Sequence, residues 1–189
     1  SLVLSSILYF EPAASGITAK CLSTNTLCPE DAYILGKWLN GLLFALAGAA
    51  AAILGWLVSR SLFAGTIAGL AIWANFSAQK NMFYMVSDPL ALALSSFLAL
   101  TLYLAIKRGD IWFWAASGLL LSFLTLTKAI FLYFIPLPLL ILLVVLMLNK
   151  KDQSHAFRIS IFLVFIGCLI LPIHSWMKRN QTVSDEYVI

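Results

Sequence analysis

The chain has 189 residues, of which 62% are hydrophobic and 11% are charged, and its formal net charge is +4. An ordinary soluble domain is roughly 45 to 50% apolar and about 25% charged. The composition therefore argues against a soluble globular protein, because several uninterrupted apolar runs leave too few polar residues to cover a core. In a membrane protein the positive charge reports loop lysines and arginines near lipid headgroups, so nucleic acid is not an expected partner.

The N-terminal region, residues 1–37, is predicted to hold an interfacial or partial helix followed by an outer loop. Residues 2–10 are apolar but lack the basic flank of a signal peptide. Cys21 and Cys28 fall in the outer loop, where a disulfide can form, although two cysteines in one loop are a weak signal. The chain begins at Ser1 rather than at a methionine, and we expect it to be a piece of a longer protein.

Six apolar segments then predict an all-α fold, a polytopic transmembrane helical bundle over residues 38–176. The first two, residues 38–59 and 61–77, are separated only by Arg60, which predicts a tight hairpin. Small residues at 45–52 allow a neighbouring helix to approach closely. The other predicted spans are residues 89–106, 111–126, 129–148 and 159–173.

Prolines and a tryptophan mark the ends of these segments. Pro89 suits the first turn of a helix, where its missing N–H is not needed. Pro136 and Pro138 predict a kink in the fifth segment. Trp176 follows the sixth segment in the manner of an interfacial anchor, and residues 177–189 are predicted to form an outer loop or the start of a following region.

The orientation of the bundle is inferred from where the basic residues lie, because equal numbers fall on its two sides. The connections at residues 60, 107–108 and 150–158 are short and basic. Basic residues in short loops beside helix ends are typical of the cytoplasmic side, so we place these connections in the cytoplasm. Asp88, Lys128, Lys178 and Arg179 then share the outer face.

Two interpretations of each outer residue stay open. Asp88, in the stretch MVSDPLALAL, either caps the helix that begins at Pro89 or is a catalytic or ligand-binding carboxylate. Lys128 interrupts the apolar run 111–148 beside the hydroxyls of Thr125 and Thr127, and it either faces an anion or extends its ammonium to the membrane surface. Arg179, like Lys178, is explained most simply as a lipid-headgroup anchor. Insertion of an ionisable group at the centre of a membrane costs about 2.5 to 3.5 kcal/mol, so such groups tend to have a partner or a function.

Four segments follow one another in an informative order, and they are WLNGLLFALAGAAAAILGWLVSRSLF, YMVSDPLALALSSFLALTLYLAIKRGD, WAASGLLLSFLTLTKAIFLYFIPLPLLILL and LILPIHSWMKRN. Together they resemble the membrane domain of the GT-C glycosyltransferases over residues 33–180. The group that contains the protein O-mannosyltransferases and the lipid A aminoarabinose transferase is the most similar. The resemblance implies that a sugar moves from a polyprenyl- or dolichyl-phosphate carrier to a lipid, glycan or protein acceptor at the outer or lumenal face.

The resemblance also implies roles for individual residues. Asp88 matches the family's second acidic position and is the catalytic candidate, because outer carboxylates in this family act as the base or orient the acceptor. Lys128 matches the cation of an "LT(R/K)" turn, and basic residues of the family hold the carrier phosphate. The ending "W..RN" matches Trp176, Arg179 and Asn180. The candidate substrate-binding residues are Lys80, Tyr84, Lys128, Trp176, Arg179 and Asn180.

No cofactor is indicated by the sequence. His155 and His174 lack a second metal-type ligand at helical spacing, so a divalent metal has no support. The family's leading acidic pair has no match, since only Glu11 and the pair at 30–31 precede the first span. We therefore expect the first helix and its loop to precede Ser1, and this piece to be inactive alone.

The resemblance places the protein in the plasma (inner) membrane of a bacterium, among membrane lipids, with its site on the outer side. The alternative is a transporter or flippase of lipid-linked anionic substrates, which would also use cations that face an anionic lipid. A third hypothesis is a structural subunit, in which the charged outer residues would tolerate alanine.

Overall fold

The computed structural model describes the backbone of residues 30–75, 88–148 and 155–184, and the predicted N-terminal helix lies outside these residues. The described part of the chain contains helices joined by short turns and no strands, which confirms the predicted all-α fold class. Its α-helices are α1 (Glu30–Ser59), α2 (Leu62–Trp73), α3 (Asp88–Arg108), α4 (Ile111–Thr127), α5 (Pro136–Leu148) and α6 (His155–Ser184). A 3-10 helix, Ala129–Phe134, precedes α5.

These helices fit an integral membrane protein. Four stretches are long and apolar enough to cross a membrane, and they are Gly36–Ser59, Asp88–Arg108, Ala129–Leu146 and His155–Gln181. Helices α2 and α4 are apolar but shorter, with 12 and 17 residues. A helix therefore occurs at each of the six predicted positions. Large apolar side chains such as Trp38, Phe63 and Trp112 are exposed on the outside of the bundle, as lipid contact allows.

The tight hairpin of α1 and α2 is confirmed. The chain reverses at Arg60, which has a positive φ of 56°, and the side chain of Ser61 then accepts a hydrogen bond from the N–H of Ala64. The two helices come into close contact because Gly65 has no side chain: a Cβ added there would lie 2.7 Å from the carbonyl oxygen of Ala52. Small residues therefore let the two backbones touch, as predicted for this pair.

The core of the bundle is built around α4, which packs against α3 on one side and α6 on the other. The rings of Trp114 and Phe165 meet edge to face, with 6.2 Å between their centroids. Gly118 faces the backbone of Phe165 directly. On the α3 side, the hydroxyl of Ser117 donates a hydrogen bond of 3.0 Å to that of Thr101. Core packing and one interhelical hydrogen bond thus fix α4 between its neighbours.

The fifth predicted segment does not form one continuous α-helix, and its helix type changes just before the prolines of the predicted kink, Pro136 and Pro138. Residues 129–134 form the 3-10 helix, and Pro136 is the first residue of α5. Proline is tolerated in the first turn because the N–H that it lacks would have no helical partner there. Both prolines therefore lie in the first turn of α5, directly after the change from the 3-10 helix.

The ends of α1 and α6 also differ from the prediction. Helix α1 begins at Glu30, inside the region predicted as a loop, and α6 continues beyond Trp176 to Ser184 with Pro172 in its interior. The apolar pattern marks only the part of a helix that lies in lipid, and Lys, Arg and Gln are good helix formers that extend it into water. Trp176 consequently lies within a helix and not at its end.

Candidate functional site

The turn between α3 and α4 determines which helix ends meet. Helix α3 runs from Asp88 to Arg108, and Gly109 reverses the chain with a φ of 66°. Asp110 then caps α4, because its Oδ1 accepts a hydrogen bond of 3.1 Å from the N–H of Trp112. The two packed helices form a hairpin, so the first residue of α3 and the last residue of α4 lie at the same end.

Lys128 occupies the break at the far end of α4. Its backbone is extended, with φ −145° and ψ 116°. Its N–H donates to the carbonyl oxygen of Leu124 at 3.1 Å, and its own carbonyl oxygen accepts from the N–H of Phe131 at 3.0 Å. Both neighbouring helices therefore hold the backbone of Lys128, and only its side chain is left to move.

The structure brings Asp88 and Lys128 together. The ammonium of Lys128 forms an ion pair with Oδ1 of Asp88, and the two side chains are 38% and 36% exposed. Asp88 lies in the first turn of α3, where the helix dipole favours a carboxylate. A pair this exposed contributes only about 0 to 1 kcal/mol to stability. The pair is thus partly open to its surroundings and is weak enough to exchange.

The position and the pairing of Asp88 bear on its two interpretations. The first-turn position of Asp88 fits the capping interpretation, and its pairing with a cation from another helix end fits a site. The ammonium of Lys128 meets this carboxylate at the bundle end. The roles of both residues in catalysis and binding remain predictions.

Trp176 and Arg179 form a second local group on α6. The guanidinium carbon of Arg179 lies 5.1 Å from the centroid of the Trp176 ring, a cation–π contact between residues three apart on one helix. Arg179 is exposed and Asn180, the next residue, is half-buried. The ring therefore orients a cation that is open to its surroundings.

Two predicted site residues, Lys80 and Tyr84, lie outside the described residues. Within residues 30–75, 88–148 and 155–184, no group of three His, Cys, Asp or Glu residues is placed to hold a metal ion. Cys168 is a free cysteine on α6.

Buried polar residues were not among the predicted site residues. Asn40 is buried on α1, and Ser117, Ser122 and Thr125 are buried on α4. The hydroxyl of Thr125 donates to the carbonyl oxygen of Leu121 at 2.8 Å. The sequence does show serines and threonines spaced along this apolar helix. Such residues commonly form hydrogen bonds within their own helix, so their presence does not indicate a ligand.

No protein-family model, curated protein or solved structure matches the chain. The chemistry of the site must therefore be argued from its own residues. A carboxylate and an ammonium from different helix ends, both accessible, can accept a proton and bind an anion, respectively.

Proposed function

We propose that the chain is part of a membrane glycosyltransferase, which moves a sugar from a polyprenyl-phosphate carrier to an acceptor at the outer face of a bacterial plasma membrane. The observation that carries this proposal is the accessible ion pair of Asp88 and Lys128 at one end of the bundle. Transfer from a phosphate-linked donor needs one group to accept a proton and another to stabilise the departing phosphate. The resemblance to the GT-C family assigns these two tasks to the same two residues.

The reaction is a substitution at the anomeric carbon of the sugar. The acceptor oxygen forms a bond to that carbon, while the bond from the carbon to the phosphate oxygen breaks. The proton of the acceptor hydroxyl moves to the carboxylate of Asp88, and polyprenyl phosphate leaves with the bonding electron pair. Lys128 stabilises the charge that grows on the phosphate. The carrier already supplies an activated leaving group, so positioning and electrostatics are the main tasks of the protein.

The surroundings of Lys128 suit a ligand with a lipid tail. The 3-10 helix that follows it exposes Ile130, Tyr133 and Phe134. An isoprenoid chain attached to a phosphate at Lys128 can pack on this apolar surface within the bilayer through van der Waals contacts. Arg179, held over Trp176, is a second candidate cation for the phosphate.

Sugar transfer by the full-length protein in proteoliposomes tests the proposal. The donor is a radiolabelled polyprenyl-phosphate sugar, and the release of polyprenyl phosphate is measured. Asp88→Asn is expected to lower turnover by about 10²- to 10⁴-fold, the usual contribution of a general base. Asp110→Asn is the matched control, because asparagine also caps helices well and Asp110 lies at the other end of α4. Lys128→Ala is expected to raise the KM for the donor.

Two results would contradict the proposal. Full turnover by Asp88→Asn, at normal expression, would remove Asp88 from catalysis. Movement of the intact lipid-linked sugar between leaflets, without release of polyprenyl phosphate, would identify a flippase instead.

A further inference from the structure

We infer that the carboxylate of Asp88 and the phosphate of a polyprenyl lipid compete for the ammonium of Lys128. Binding of the phosphate then opens the ion pair and releases the carboxylate. The inference rests on the proposed function, because it specifies how the same site is controlled. It makes Asp88 an internal competitor of the ligand as well as the proposed base.

The geometry of Lys128 allows this exchange without any movement of a helix. Hydrogen bonds to Leu124 and from Phe131 hold its backbone, while its side chain is 38% exposed. An anion that approaches the bundle end can therefore reach the ammonium by a change of side-chain rotamer alone. The carboxylate of Asp88, which is similarly exposed, is released into the same accessible space.

The charges favour exchange with polyprenyl monophosphate. This monoester carries about −1.5 to −2 charges at neutral pH, whereas the carboxylate and the phosphodiester of the sugar-linked donor each carry one. An exposed ion pair gains little from its own attraction, so breaking it costs little. A phosphate whose tail lies against the apolar residues after Lys128 has an additional source of affinity that Asp88 lacks.

The exchange has a consequence for the order of events. While Asp88 is paired with Lys128, its Oδ1 faces the ammonium and not an acceptor hydroxyl. Binding of the donor phosphate moves the ammonium of Lys128 away from the carboxylate at the moment when the acceptor must lose its proton. After the proton has passed to solvent, the ionised carboxylate of Asp88 again competes with the phosphate product for Lys128.

A double-mutant cycle tests the competition. The full-length protein is placed in nanodiscs of neutral phosphatidylcholine, and the Kd for polyprenyl monophosphate is measured without any sugar. The proteins are the wild type, Asp88→Asn, Lys128→Met and the double variant. Asp88→Asn is expected to bind the lipid about 1.5- to fivefold more tightly than the wild type, as loss of an exposed competing pair implies. In the Lys128→Met background, the same change is expected to leave the weakened Kd unchanged.

Several outcomes would overturn the inference. One is an unchanged or weaker affinity in Asp88→Asn, and another is an equal gain in the Lys128→Met background, which would indicate simple charge repulsion. Asp88→Ser is measured in parallel, and thermal unfolding verifies that each variant is folded. Inorganic phosphate provides a further arm, since equally tight binding of phosphate without a tail would overturn the assignment to a lipid.

The proposed function and the competition can fail separately. Sugar transfer with no effect of Asp88→Asn on the Kd for the lipid would support the proposed transferase and refute the exchange. The predicted pattern of Kd values without any sugar transfer would support the exchange and refute the proposed transferase.

Discussion

Replacing Gly118 by alanine is expected to force α4 and α6 apart. A Cβ at this position would lie 2.6 Å from the carbonyl oxygen of Phe165 and 3.1 Å from the Cβ of Cys168. A backbone oxygen can move only with its helix, so the overlap cannot be relieved by a side-chain rotation. Gly167 is a matched control on α6, because a Cβ there would meet nothing within 4 Å.

Comparison of the two variants isolates the cost of the overlap. Each change from glycine to alanine gains about 1 kcal/mol of helix propensity, and this gain cancels in the difference. Overpacking typically costs about 1 to 3 kcal/mol. Gly118→Ala should therefore unfold at a temperature about 2 to 12 °C below that of Gly167→Ala, at about 2 to 4 °C per kcal/mol.

Thermal unfolding in detergent micelles, followed by tryptophan fluorescence, provides the assay. Equal unfolding temperatures for Gly118→Ala and Gly167→Ala would refute the close approach of α4 and α6. A lower temperature for Gly167→Ala would do the same.

Three further changes test other contacts. Tyr103→Phe removes the hydrogen bond of 2.9 Å from the phenol to the carbonyl oxygen of Leu57, and it should destabilise the bundle by about 0.5 to 1.5 kcal/mol in denaturant unfolding; no loss would show that the contact is not made. Asp110→Ala should cost about 0.5 to 2 kcal/mol through the lost cap, while Asp110→Asn should cost little, and equal losses would argue against capping. Arg179→Ala should raise the KM for the lipid-linked donor about tenfold or more, as for a charged hydrogen bond to phosphate, and an unchanged KM would remove Arg179 from the site.

Much of the fold could be predicted from the sequence, because hydropathy reports burial in lipid directly. The short basic break at Arg60 and the small residues at 45–52 predicted the α1–α2 hairpin and its close packing correctly. The length of α6 could not be predicted in this way. Its last turns are polar. An apolar run identifies the part of a helix that lies in lipid, but it does not show whether the helix continues into water. The 3-10 helix after Lys128 is similarly apolar throughout, so its hydropathy does not distinguish it from an α-helix.

The site was only partly predictable. Alternation of spans placed Asp88 and Lys128 on one face, but a face of a bundle is wide, and topology alone cannot bring two side chains into contact. Contact depends on the packing of α3 against α4 and on the extended backbone at Lys128. A single lysine between two apolar helices carries no local signal for that conformation.

Both proposals require Asp88 and Lys128 to be neighbours, and cysteine cross-linking in membranes measures this most directly. The three native cysteines are replaced by serine, and Asp88→Cys is combined with Lys128→Cys. A short bifunctional thiol reagent should join the two residues rapidly, as a mass shift in the peptides that contain them. The control pair, cysteines at 110 and 128, lies at opposite ends of α4, about 27 Å apart at 1.5 Å per residue, and should not react. Failure of the 88–128 pair to cross-link in folded protein would contradict the ion pair and the proposals that depend on it.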